Sequence, residues 1–157
     1  MKTLRRPFLA AFLFALSASA FSASALPTTA PTATAGAGDA PIKVVYHLAE
    51  GNAQASRALN NMRNHIEADP SVKIVVVAHG AGIDFLLDGA QDAQGRAFTG
   101  PIADMANRGV QFLVCNNTLT ARGIAKEKVA LEARIVPAGV AEVARLQFRE
   151  GFAYLRP

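Results

Sequence analysis

The chain has 157 residues, 51% of them hydrophobic, with 16 Lys and Arg against 12 Asp and Glu. Three of the basic residues, Lys2, Arg5 and Arg6, stand at the very start, where there is no acid, so the rest of the chain is almost neutral. Near neutrality without a basic, aromatic-interleaved patch excludes a nucleic-acid surface, and a single cysteine excludes an intrachain disulfide framework.

The basic start is followed by an apolar, small-residue stretch over residues 8–21 and by Ala23-Ser24-Ala25, a cleavage site of the A-x-A kind. This pattern predicts a signal peptide over 1–25, cleaved after Ala25, and a periplasmic mature protein. The stretch is short of the roughly 20 apolar residues of a membrane-spanning helix, so no span is expected in the mature chain. Arg5-Arg6 loosely resembles a twin-arginine export signal, although ordinary basic residues of a general secretory signal account for it as well. Residues 26–40, made of Pro, Thr, Ala and Gly, lack the large apolar side chains needed to offset the entropy of ordering. They read as a flexible linker. Residues 41–157 are enough for one small domain with a single core.

Residues 42–47 read as a strand rich in β-branched side chains that ends in His47. Residues 52–68 carry Ala55, Leu59, Met62 and Ile66 at helical spacing, and Asp69-Pro70 stops the helix. Residues 72–78 are a nearly unbroken apolar run that ends in His79. Such a run suits a parallel strand covered on both faces. His79-Gly80-Ala81-Gly82 then turns the chain into a short helix at 83–87 and a glycine-bearing loop at 88–100. Pro101 suits a first helical turn, with Ile102, Met105 and Ala106 facing inward and Gly109 closing the helix. Residues 110–114 make a third strand that ends in Cys115, and 118–122 a helical turn. A fourth strand covers 133–136. Residues 140–150 form an amphipathic helix with Val140, Val143, Ala144, Gln147 and Phe148 near one face, and 152–155 add a last strand. Alternating strands and helices predict a three-layer α/β fold, with the carboxyl ends of the parallel strands along one edge.

His47, His79 and Cys115 fall at the ends of successive predicted strands, where open α/β sheets carry their chemistry. A helix starting just after Cys115 would offer unpaired N–H groups to a thiolate, and Arg122 would add positive charge. Sulfur there would act as a nucleophile or carry a second sulfur; a buried, inert cysteine is the structural alternative. His79, followed by two glycines, would exchange a proton with Cys115 or orient it, or simply bond its own turn. His47, Asn116, Thr118 and Arg122 would line the pocket. His65 reads as a solvated face residue, and Asp84, Asp88 and Asp92 as a solvated face of one helix. Two histidines and a cysteine can bind copper or zinc, but no ligand spacing is diagnostic, and neither metal nor cofactor is assigned. No dinucleotide fingerprint, P-loop or G-x-S-x-G elbow is present.

Several segments together resemble the DsrE/DsrF-like (YchN-like) proteins in order and spacing. They are Val75-Val76-Val77-Ala78-His79-Gly80, Gly109-Val110, Phe112-Leu113-Val114-Cys115-Asn116-Asn117-Thr118-Leu119, Val136-Pro137-Ala138-Gly139-Val140, Gln147, and the ending Gly151-Phe152-Ala153-Tyr154-Leu155-Arg156-Pro157. The resemblance runs over nearly all of 41–157. It implies a three-layer α/β/α sandwich on a five-stranded, mainly parallel sheet, and homo-oligomers, usually trimers or hexamers. It also implies a sulfur carrier or sulfurtransferase-type relay, in which a cysteine corresponding to Cys115 holds a persulfide and exchanges sulfur with a donor or acceptor protein. His79 would tune that cysteine's protonation. The export signal departs from the cytoplasmic sulfur carriers and speaks against tRNA thiolation. The other expectation is a non-catalytic oligomeric binding module that holds a metal or small ligand at the strand-end crevice.

Overall fold

The computed structural model describes residues 40–157. The signal peptide expected over 1–25 and, apart from Ala40, the linker over 26–40 lie outside the described residues. Strand β1 spans Lys43–Leu48, helix α1 Asn52–Ala68 and strand β2 Lys73–Ala78. A 3-10 helix follows at Gly80–Leu86, then α2 at Thr99–Asn107, β3 at Gln111–Cys115 and α3 at Asn116–Ala121. A short 3-10 turn at Lys126–Lys128 leads to β4 at Ala133–Val136, α4 at Gly139–Glu150 and β5 at Ala153–Leu155.

The five strands lie in the order β4-β3-β2-β1-β5, and every pairing is parallel. The predicted α/β/α sandwich is what forms. Central strands of a parallel sheet are covered on both sides and need apolar side chains on both; Val75, Val76 and Val77 of β2 meet that need. On one face Val44, Tyr46, Leu48, Ile74, Val76, Phe112 and Val114 pack with α1, α2 and the first 3-10 helix. On the other, Val45, Val75, Val77 and Leu113 pack with Val143 and Leu146 of α4, and with Val136 and Phe152.

Gly82 brings the 3-10 helix hard against β1. A Cβ there would stand 2.2 Å from the carbonyl oxygen of Leu48, so only glycine permits the approach.

Four expectations change in three dimensions. Strand β1 runs on to Leu48, which puts His47 inside the strand. Helix α3 begins at Asn116, directly after Cys115, and not at Thr118. Asp84, Asp88 and Asp92 do not share a helix face: each leaves the chain at a different turn and pairs with its own cation, Arg122, Lys128 and Arg96. The stripe that α4 buries is Gly139, Val143 and Leu146. Val140 and Phe148, expected near one face with Val143, are instead 62% and 92% exposed.

Candidate functional site

Register decides which side chains meet. His47 pairs with Val77 across β1 and β2, Val77 with Leu113 across β2 and β3, and Tyr154 with Val45 across β5 and β1. Side chains alternate along a strand. The residues that share the α4 face at the carboxyl edge are therefore Cys115, His79, His47 and Tyr154, one from each of four neighbouring strand ends. The sheet order lines them up in that sequence.

Cys115 is 5% exposed and free. It is the last residue of β3 and the cap position of α3. Burial pushes its thiol up, but donors around the sulfur outweigh this and hold it below its ordinary value. They are the Gly139 N–H at the start of α4, the Thr118 hydroxyl, and the N–H groups of Thr118 and Asn117. None makes a tight cap bond on α3; sulfur is a large, weak acceptor, and these donors act on the thiolate by their dipoles. The Asn117 N–H is also shared with the Pro137 carbonyl at 3.3 Å, which makes it the weakest of the set. Thr118 does two jobs, since its Oγ1 also accepts the Gly80 N–H at 3.0 Å.

Gly139 stands between the sulfur and the histidines. A Cβ on it would lie 3.2 Å from the β-carbons of both Cys115 and His79. This close approach is what lets the first N–H of α4 reach the thiol.

His79 and His47 meet through their Nε2 atoms at 2.6 Å, with ring centroids 4.7 Å apart. His47 Nδ1 lies 2.7 Å from the Tyr154 hydroxyl. Burial lowers both imidazoles, helped by the Arg156 charge and, for His47, by His79 itself. Both shifts favour the neutral imidazole over the imidazolium. Arg156 is paired with Glu50.

Behind the end of β1 lies Gln54 of α1, a fully buried polar side chain. Its Oε1 accepts the N–H groups of Ala49 and Glu50 at 2.8 and 2.9 Å. Its amide reaches the carbonyl oxygen of Pro157 at 3.3 Å, which ties the loop after β1 to the chain end that follows β5.

The predicted residues thus divide. Cys115, His79, His47 and Thr118 come together. Asn116 opens α3 but makes no hydrogen bond to Cys115 or to either histidine among the described residues. Arg122 does not serve the thiol: it bonds the Gly80 carbonyl at 3.2 Å and pairs with Asp84 at 2.6 Å. No hydrogen bond joins His79 to Cys115 among the described residues. His65 is not simply solvated, since its Nδ1 lies 3.1 Å from the Tyr46 hydroxyl. Sequence reasoning missed Tyr154, Gly139, Gln54 and Arg156 as site residues. The glycine directly after Val136-Pro137-Ala138 was a usable signal for a close approach; Tyr154 had none, because its partner lies across the sheet.

The family model for the DsrE/DsrF-like family matches residues 10–157. The chain belongs to the DsrE/DsrF-like family. This family is related to sulfur-relay proteins. Among solved structures, a protein of unknown function, MTH1491 from Methanobacterium thermoautotrophicum, is 30% identical. The match covers 74% of this chain and 99% of that one, with a TM-score of 0.66. The YchN protein of E. coli shares the fold at 15% identity and a TM-score of 0.59, over 74% of this chain and 98% of its own. No curated protein matches the sequence.

Proposed function

We propose that this DsrE/DsrF-like protein is an exported, periplasmic sulfur carrier of the sulfurtransferase type, and that Cys115 holds the sulfur as a persulfide. The observation that carries this reading is the placement of Cys115 at the end of β3, directly before α3 and against Gly139 at the start of α4, an arrangement in which backbone N–H groups and the Thr118 hydroxyl favour the thiolate. A thiolate is the nucleophilic form of cysteine. It attacks the outer sulfur of a sulfane donor, a new S–S bond forms at Cys115, and the donor's own bond breaks, its electron pair leaving with the donor group. An acceptor thiolate then attacks that outer sulfur and returns Cys115 to the thiolate. The transfer balances without a cofactor. Assembly into a homo-oligomer is part of the proposal, and the exposed Val140 and Phe148 of α4 support it.

The test is intact mass of the mature protein after treatment with thiosulfate or polysulfide. One added sulfur is expected, and none in Cys115→Ser. A native Cys115 that gains no sulfur and resists alkylation until unfolding overturns the proposal.

The facing Nε2 atoms of His47 and His79 favour a second reading, a binding module for a small ligand or cation. Among the described residues no group of three or more His, Cys, Asp or Glu side chains is set to hold a metal ion, so a cation would depend on this pair. Native mass spectrometry on the same samples would reveal a stoichiometric bound species, abolished in His79→Ala.

A further inference from the structure

Tyr154, His47 and His79 touch in line across three strands. Two ring nitrogens 2.6 Å apart must share one proton, since two lone pairs or two N–H groups would repel. His79 Nδ1 has no hydrogen-bond partner among the described residues. The line therefore has two polarities with the same number of protons. In the first, Tyr154 donates to His47 Nδ1, the His47 Nε2–H donates to His79 Nε2, and His79 keeps its proton on Nδ1. In the second, the His47 Nδ1–H donates to the Tyr154 oxygen, the His79 Nε2–H donates to His47 Nε2, and His79 Nδ1 is bare.

We infer that this line is a proton wire between His79 Nδ1, on the residue that packs with Cys115 against Gly139, and solvent at the edge of the sheet. In the second polarity His79 Nδ1 takes up a proton and passes its Nε2 proton to His47. His47 passes its Nδ1 proton to the Tyr154 oxygen, and the hydroxyl proton already there leaves to water. Each N–H or O–H bond broken is matched by one formed, and no group in the line ends charged. The wire is then in the first polarity, ready to release a proton from His79 Nδ1 and draw one from water. A reaction that first releases a proton beside His79 and then takes one back resets it.

The surroundings suit neutral transfer. Tyr154 is 40% exposed, so the outer end meets water. The groups facing the pair are Cys115 on β3, Tyr154 on β5 and Arg156 just beyond it, with Glu50 of the β1–α1 loop paired to Arg156. Burial and the Arg156 charge disfavour a resting imidazolium. The wire holds whether or not Cys115 carries sulfur.

The experiment follows the imidazole nitrogens of His47 and His79 against pH by NMR, in the full chain and in Tyr154→Phe. Loss of the hydroxyl is expected to lower the His79 midpoint by about half a pH unit or more, although residue 154 does not touch His79. A packing role alone leaves His79 unmoved, because phenylalanine keeps the ring. Should the lost hydroxyl loosen β5, 3-fluorotyrosine at both tyrosines keeps the shape and changes the phenol's acidity, and the His79 nitrogens are expected to respond again. Superimposable His79 titrations in all three proteins overturn the wire. Because the readout is histidine, a failure of sulfur transfer at Cys115 remains a separate result.

Discussion

A Cβ on Gly139 would press on the β-carbons of both Cys115 and His79 at 3.2 Å, so alanine there shifts the start of α4 away from the sulfur. Gly139→Ala is expected to return the Cys115 thiol toward its ordinary value, because the backbone N–H that lowers it most is displaced. The pH dependence of iodoacetamide alkylation measures this, and an unchanged profile would count against the role given to α4. Stability carries the same signature. The folded thiol sits below its ordinary value, that of the unfolded chain. Between the two values the unfolded chain binds more protons, so this group makes stability rise with pH across that window and withdraws the gain as pH falls through the folded value. In Gly139→Ala the rise shrinks.

At the scale of elements, the first 3-10 helix and β1 are in backbone contact through Gly82. A methyl group there would stand 2.2 Å from the Leu48 carbonyl oxygen and 2.3 Å from its carbon. The obstacle is main chain in a central strand and cannot swing aside. Gly82→Ala is expected to cost on the order of 3 kcal/mol, read as a lowered urea midpoint with an unchanged slope. The strands themselves were legible because their signal is local: Val75 to Val77 announce a doubly covered strand by composition alone. The strand-end placement of His79 and Cys115 followed from the same runs. Helix α4 was misread because Val140 and Phe148 are as apolar as Val143, and periodicity ranks side chains by type, not by which stripe meets the sheet. Tyr154 was invisible for a different reason. Its contact with His47 joins residues 107 positions apart, and no local pattern encodes the register between β5 and β1.

For the molecule as a whole, α4 covers one face of the sheet while presenting an apolar stripe outward. Phe148 is 92% exposed and, with Ala141, Ala144, Arg145 and Arg149, lines a shallow groove of about 400 Å³. Large exposed aromatics in a patch mark association surfaces. Phe148→Glu is expected to convert an oligomer to a monomer in light scattering without lowering the thermal midpoint of the monomer; a wild-type assembly state would remove this face from the interface. The layered core and the chemical edge differ in robustness. Tyr154 comes from a three-residue strand at the margin of the sheet, and such margins open at a small fraction of the global unfolding free energy. Each opening parts Tyr154 from His47 while the packed interior stays intact. The acid–base character of the site is thus a population average over docked and frayed molecules, and anything that clamps the last strand, including a neighbouring subunit, would tune it without touching a single titrating group.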